Sequence, residues 1–205
     1  MAGAIKTKTE KNTKVIFCDF PSADISGLVY KKIIRMEGKK YGLDDSDLLF
    51  TSDVGYPEGF PRQGVLDLFT LSNLFLCPSF SESFGLTVLE AGSRGNFLVL
   101  NEAVPALKEL GMSLGAYFMR WDARNFGYDT YEKYNPSERE YYEEHGNIIV
   151  NLMREDRSLY AKKLLLEINI IRNGSLKINC CLCWNKIKKF HGTLLVFLAM
   201  FHEIF

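Results

Sequence analysis

Pro78-Ser79-Phe80-Ser81-Glu82-Ser83-Phe84-Gly85-Leu86-Thr87-Val88-Leu89-Glu90-Ala91 places two glutamates, with seven residues between them, across a loop-to-helix junction. Just before it, Leu74-Phe75-Leu76-Cys77 is a continuous apolar run closed by Pro78, which predicts a parallel strand buried on both faces. Residues 85–94 predict a helix. The stretch between them then lies at the carboxyl end of a strand, where open α/β sheets bind their ligands. Backbone N–H groups of Phe84, Gly85 and Leu86 face one point there, and the helix dipole favours a phosphate. Glu82 belongs to the loop. Glu90 stands five residues beyond Gly85, about 7.5 Å further along the helix axis. One carboxylate is thus within reach of a sugar and the other of a ribose.

The segment resembles the signature of GT-B-fold retaining glycosyltransferases, the glycogen synthase-like group 1 transferases, whose pattern runs roughly P-S-x-x-E-[GS]-F-G-L-x-x-L-E-A. The resemblance implies roles for particular residues. Phe84, Gly85 and Leu86 would receive the donor diphosphate, and Glu82 would contact the transferred sugar as the catalytic residue. Glu90 would accept hydrogen bonds from ribose hydroxyls. Ser83, where many members carry Gly, is a known variant within the same donor-binding loop. The resemblance also implies no cofactor and no metal, because helix dipole and cationic side chains take the charge of the leaving diphosphate. The leaving phosphate itself serves as base, so no nucleophile is expected.

The likeness runs over residues 14–121, with strands and helices alternating as βαβ units of a mostly parallel sheet. Lys14-Val15-Ile16-Phe17-Cys18 reads as a strand. Residues 22–41 follow as a helix with Ser22 or Asp24 as N-cap and a stop at Gly42. Residues 48–51 form the next strand, and residues 62–72 carry Val65, Leu66, Phe69 and Leu71 on one helical face. Phe97-Leu98-Val99-Leu100 is another buried strand, ending at Asn101-Glu102 where the family places a loop close to the donor. Residues 104–110 read as a short helix ended by Gly111, and residues 117–119 as a last strand. The expected fold is α/β: a Rossmann-like, mostly parallel sheet with helices on both faces, of the GT-B C-terminal type, plus C-terminal helices and an atypical tail.

The 205 residues, 47% of them hydrophobic, suit one domain with a tail. Formal charge is zero, which gives no electrostatic case for nucleic acid. No apolar run reaches the 18 or more residues of a membrane-spanning helix. Residues 1–13, with Lys6, Lys8 and Lys11 among polar spacers, lack a signal-peptide apolar stretch and read as a flexible lead-in. The domain is set at residues 14–170 and the tail at 171–205. Thiols without an even, well-spaced framework fit a reducing cytoplasm.

A complete GT-B enzyme has two Rossmann-like domains, and this chain supplies one. The family's second domain opens with a strand and a Gly-Arg-like segment followed by a Lys that neutralise the diphosphate, and nothing before Val15 matches them. The implied function is binding of a nucleotide-diphosphate sugar and glycosyl transfer with retention when a complementary acceptor-binding domain or chain is present. The alternative is a non-catalytic nucleotide-sugar-binding or interaction module derived from such an enzyme. A phosphorylase or epimerase ranks below both, for want of a pyridoxal lysine environment and of the flanking pattern.

Other residues take plainer readings. Arg62 and Lys108 are cations near phosphate reach but on ordinary solvated helix faces. Residues 56–61 are Pro/Gly turn chemistry, either bordering the nucleotide base or forming a surface connection. His145 reads as a surface histidine, and Asp44, Asp45 and Asp47 as a solvated turn. Residues 124–135 read as a loop and 137–154 as a helix with a capping box at Ser137 and Glu140. Residues 159–171 read as a closing helix. In the tail, Cys180, Cys181 and Cys183 with His191 and His202 lack the paired spacing of a structural zinc site. Residues 171–205 are expected to stand apart from the domain, as a stretch foreign to it or a hydrophobic tail docked on it.

Overall fold

The structure, a computed structural model, describes residues 1–10, 13–19, 27–79, 81–121, 123–124, 131–132, 139–155 and 194–198. In chain order the elements are α1 (Ala2–Thr9), β1 (Thr13–Phe17), α2 (Gly27–Lys40), β2 (Leu48–Phe50), α3 (Arg62–Leu71), β3 (Leu74–Cys77) and α4 (Leu86–Ser93). They continue with β4 (Phe97–Asn101), α5 (Pro105–Leu114), β5 (Tyr117–Met119), β6 (Ala123–Arg124), β7 (Tyr131–Glu132), α6 (Arg139–Glu155) and β8 (Leu194–Leu198). A 3₁₀ turn, Thr51–Val54, follows β2. The main sheet has the order β2-β1-β8-β3-β4-β5, and all five of its strand pairings are parallel. The architecture is therefore α/β and compatible with a Rossmann-like fold.

Alternation along the strands divides the core in two, because successive side chains leave opposite faces of a sheet. Ile16, Phe75, Cys77, Leu98 and Leu100 join Leu68 and Phe69 of α3, Val88 and Ala91 of α4 and Leu107 of α5 on one face. Val15, Phe17, Leu48, Phe50, Leu74, Leu76 and Val99 join Ile5 of α1, Tyr30 and Ile34 of α2 and Ile149 and Val150 of α6 on the other. Phe69 and Phe75 meet edge to face at 5.4 Å, and Phe17 stacks on Phe50 at 4.7 Å. Each face thus has an aromatic pair in its core.

The amino-terminal residues form a packed helix, which corrects the flexible lead-in expected there. Ile5 is fully buried, and Gly3 lies so close to the Tyr41 carbonyl that an added Cβ would stand 1.9 Å from its oxygen. Lys6 reaches the Asp47 carboxylate at 2.6 Å and the Gly42 carbonyl at 3.1 Å. Asp47 is likewise no solvated turn residue. It is 1% exposed and pairs with the buried Lys14 at 2.9 Å, so one carboxylate ties α1, β1 and the approach to β2 together.

The expected helix stop at Gly111 is also corrected. α5 runs through it to Leu114, and Gly115, at φ 68°, ends the helix. Gly111 serves close approach instead, since a Cβ there would stand 2.7 Å from Leu100 Cδ1 and 2.8 Å from Phe118 Cζ. Where a loop was expected, β6 and β7 pair as a small antiparallel ribbon. The N-caps proposed at Ser22 and Asp24, the capping residue Ser137, the helix over 159–171 and the cysteine cluster lie outside the described residues.

The tail boundary at 171 changes most. Leu194–Leu198 pairs with β1 over five residues and with β3 over three, so part of the segment set apart from the domain is a central strand of its sheet. An uninterrupted Leu-Leu-Val-Phe-Leu run is what a strand buried within a parallel sheet requires.

Burial raises the pKa of Asp47, but hydrogen bonds from Lys6 and Lys14 outweigh it and hold the carboxyl below the ordinary range. Its contribution to stability is therefore present above the unfolded carboxylate pKa near 4 and is lost as pH falls through the lower folded value. Asp47→Ala should cost about 3–5 kcal/mol by breaking the buried ion pair that Asp47 makes with Lys14. Urea unfolding at neutral pH measures this, and Asp47→Ala/Lys14→Met should recover most of the loss.

Candidate functional site

All strands of the main sheet run the same way, so the chain leaves β1, β2, β3 and β4 at one edge. The signature loop follows β3 there. Gly85, at φ 78°, is the N-cap of α4, a left-handed conformation that glycine adopts without steric cost. A Cβ at Gly85 would also stand 3.2 Å from Leu110 Cδ2. The turn therefore aims three successive amides at one point. The N–H groups of Ser83, Phe84 and Gly85 donate to Glu82 Oε1 at 3.1, 3.4 and 3.1 Å.

The converging amides are those of Ser83, Phe84 and Gly85 rather than the expected Phe84, Gly85 and Leu86, and all three are engaged by the chain's own carboxylate. Glu82 is held by charge-assisted bonds at the positive end of α4. Leu86 opens α4, in the turn whose amides have no acceptor within the helix. The side chains of Phe84 and Leu86 are both 61% exposed and flank the nest.

Glu90, one and a half turns into α4, has a different neighbour. Arg62, the first residue of α3, places Nη2 2.5 Å from Glu90 Oε1. The Arg62 side chain is 76% exposed and that of Glu90 19%, so the pair contributes little to stability and its opening costs little. The turn before α3 folds onto it: Tyr56 meets Phe60 edge to face at 4.6 Å, and Phe60 covers Gly64.

Asn101, fully buried at the end of β4, clamps this edge. Its Nδ2 donates to the Ser79 carbonyl at 3.1 Å, and its Oδ1 accepts from Ala103 N and Trp121 N, both at 3.1 Å. One amide side chain thereby fixes the loops after β3, β4 and β5. Glu102 beside it lies 3.7 Å from Arg120.

A second polar cluster, absent from the sequence reading, sits at the same edge beyond β1 and β2. Asp19 is 6% exposed and accepts from Thr51 Oγ1 at 3.0 Å, Ser52 N at 2.9 Å, Tyr30 OH at 2.5 Å and the Ser52 hydroxyl. Lys31 lies 3.4 Å from Asp19 and 2.6 Å from Asp53. Burial alone would raise the Asp19 pKa, yet the hydrogen bonds from Ser52, Tyr30 and Thr51 bring it below the ordinary value. So many donors make Asp19 a loop anchor. Its signal in the sequence was position alone: an acid directly after the apolar strand run that ends at Cys18. Burial pushes the Cys18 thiol up to about 12, with the Asp19 charge adding to it, which leaves no thiolate at neutral pH.

His145 is partly buried rather than a surface residue. Its Nδ1 shares a hydrogen bond with Tyr117 OH at 2.6 Å, and its ring lies 4.2 Å from that of Tyr141. Among the described residues no group of three or more His, Cys, Asp or Glu side chains is placed to hold a metal, and no helix is long and apolar enough to cross a membrane. A cavity of about 520 Å³ between α1, Tyr41 and α6 lies on the opposite face of the sheet from α4. Comparison of the chain with protein-family models, curated proteins and solved structures found no match.

Asn101→Ala should destabilise the fold by about 1–3 kcal/mol through the buried partners it orphans. Hydrogen exchange should show faster amides in residues 81–85 and 119–121 than in β1 or β2. Uniform change across the sheet would show that Asn101 is an ordinary core residue.

Proposed function

We propose that this chain is a donor-binding domain for a nucleotide-diphosphate sugar, and that it supports glycosyl transfer with retention together with an acceptor-binding domain or chain. The observation that carries the reading is the set of three consecutive amides aimed at one oxygen at the head of α4. A nest of this kind suits an anion. In the reading, a diphosphate oxygen takes the place of Glu82 Oε1. The displaced Glu82 then turns toward the transferred sugar, while Ser83, Phe84, Gly85 and Leu86 hold the diphosphate. Glu90 leaves Arg62 for the ribose hydroxyls, and the freed guanidinium offsets phosphate charge. The likeness of 78–91 to the group 1 transferase signature supports the assignment, as does the parallel sheet whose carboxyl edge presents it.

A non-catalytic binding or interaction module is the second reading. It is favoured by the internal partners that both glutamates already have. Glycosyl transfer or donor hydrolysis by the purified chain would reject it.

Calorimetric titration with UDP, GDP and ADP sugars tests the site. Glu90→Ala should weaken donor binding by about 1–3 kcal/mol, the loss of a charged hydrogen bond, and equal binding by parent and variant would refute the assignment of Glu90. Glu82→Ala should act in the opposite sense on inorganic diphosphate, binding it several-fold more tightly because no internal carboxylate competes, while losing preference among sugars.

A further inference from the structure

Three side chains of α6 hold it to the end of β5. Tyr117 OH and His145 Nδ1 lie 2.6 Å apart, Tyr141 OH accepts from Arg120 N at 3.0 Å, and Trp121 Nε1 donates to Tyr142 OH at 3.2 Å. The same end of β5 meets the candidate rim, because Trp121 N donates to Asn101 Oδ1 and Asn101 Nδ2 to the Ser79 carbonyl. α6 and the loop after β3 are thus joined through residues 119–121 and one buried amide. Of the groups in this chain of contacts, the His145 imidazole is the one whose ordinary pKa lies near neutrality.

A neutral imidazole with its proton on Nε2 accepts the Tyr117 hydroxyl proton at Nδ1, and a hydrogen bond to the neutral form disfavours the cation. Protonation sets a second donor against that hydroxyl, which must turn its own proton away. Among the described residues, the titratable and charged groups that face His145 are Tyr117 from β5 and Tyr141 and Glu144 from its own helix. Glu144 favours the cation, but burial outweighs it and holds the pKa below 6.5. The Arg120 side chain lies 3.7 Å from Glu102. α1 meets α6 at Gly146, and its Lys8 and Glu10 line the cavity with Arg139, Tyr142 and Glu143, a flank that His145 does not share.

We propose that His145 is a pH-responsive latch, whose protonation loosens the hold of α6 on β5 and, through Asn101, the rim that carries the Glu82 loop. A histidine whose pKa is lower in the folded chain than in the unfolded one contributes stability above the unfolded value near 6.5, and the contribution is lost as pH falls through the lower folded value. The latch is therefore closed at neutral pH and opens in mildly acidic solution. Asp19 and Asp47 are held below the ordinary carboxylate range, so the framework around β1 and β2 stays charged and paired while the latch opens. The inference does not depend on what the rim binds.

The unaltered full chain, isotopically labelled, is titrated from about pH 8 to about pH 5 by NMR of its imidazole signals. Amide hydrogen exchange of residues 119–121, corrected for intrinsic rates, is followed over the same range and set against that of β1. His145→Asn keeps an acceptor oxygen near the Nδ1 position without a titrating group, and Tyr117→Phe removes the hydroxyl. The expected result is a His145 titration below 6.5, with exchange at 119–121 rising several-fold in step with it while β1 is unchanged. His145→Asn should abolish that pH dependence, and Tyr117→Phe should raise the His145 pKa. Titration of His145 at or above 6.5 would overturn the proposal, as would exchange at 119–121 that ignores the titration or rises equally in β1. Those outcomes are read on the unaltered chain and need no variant to fold. The same pH-dependent exchange in His145→Asn would also overturn it.

Discussion

Backbone pairing at the middle of the sheet is the constraint on which the rest depends. Buried N–H and C=O groups must find partners, and β1 and β3 both pair with β8, which stands between them. Two core layers flank the sheet, one under α3, α4 and α5 and the other under α1, α2 and α6. The ends of β1 and β3 then take a set separation. The loops that carry Asp19 and Glu82 inherit their positions from it.

At the edge so formed, electrostatics gives two acids of one loop-helix junction different partners. Glu82 folds back on the amides that open α4, while Glu90 reaches across to α3 and Arg62. Neither contact is deeply buried, so both open at modest cost. Asp19, by contrast, is saturated by donors and belongs to the framework. The contrast between a buried, saturated acid and two partly exposed ones distinguishes framework from candidate site on the same rim.

Much of the sheet was legible because buried parallel strands are continuous apolar runs: residues 14–18, 74–77 and 97–100 need no tertiary information to be read. Helix α1 was not legible, since Ile5 is its one large apolar residue and its order comes from Tyr41, Asp47 and α6. Gly111 was misread because a glycine that admits a neighbouring side chain looks like one that ends a helix. The Leu194–Leu198 run was visible as apolar, but its pairing joins positions about 180 residues apart, and no local pattern encodes that. At the candidate site, spacing placed Glu82 on the loop after β3 and Glu90 on the following helix, where the structure has them. It could not show that Glu82 would occupy the amides itself, because a side chain's choice between loop and solvent is settled by rotamer and geometry.

Cys18 and Cys77 close the two strands that flank β8, and burial keeps both thiols protonated. Cys77 is 1% exposed and Cys18 only partly buried, so alkylating or oxidising reagents reach Cys77 when β3 opens and Cys18 without such opening. The protein carries a built-in chemical clock, in which the modification rate at Cys77, set against that at Cys18, counts how often the middle of its sheet breathes.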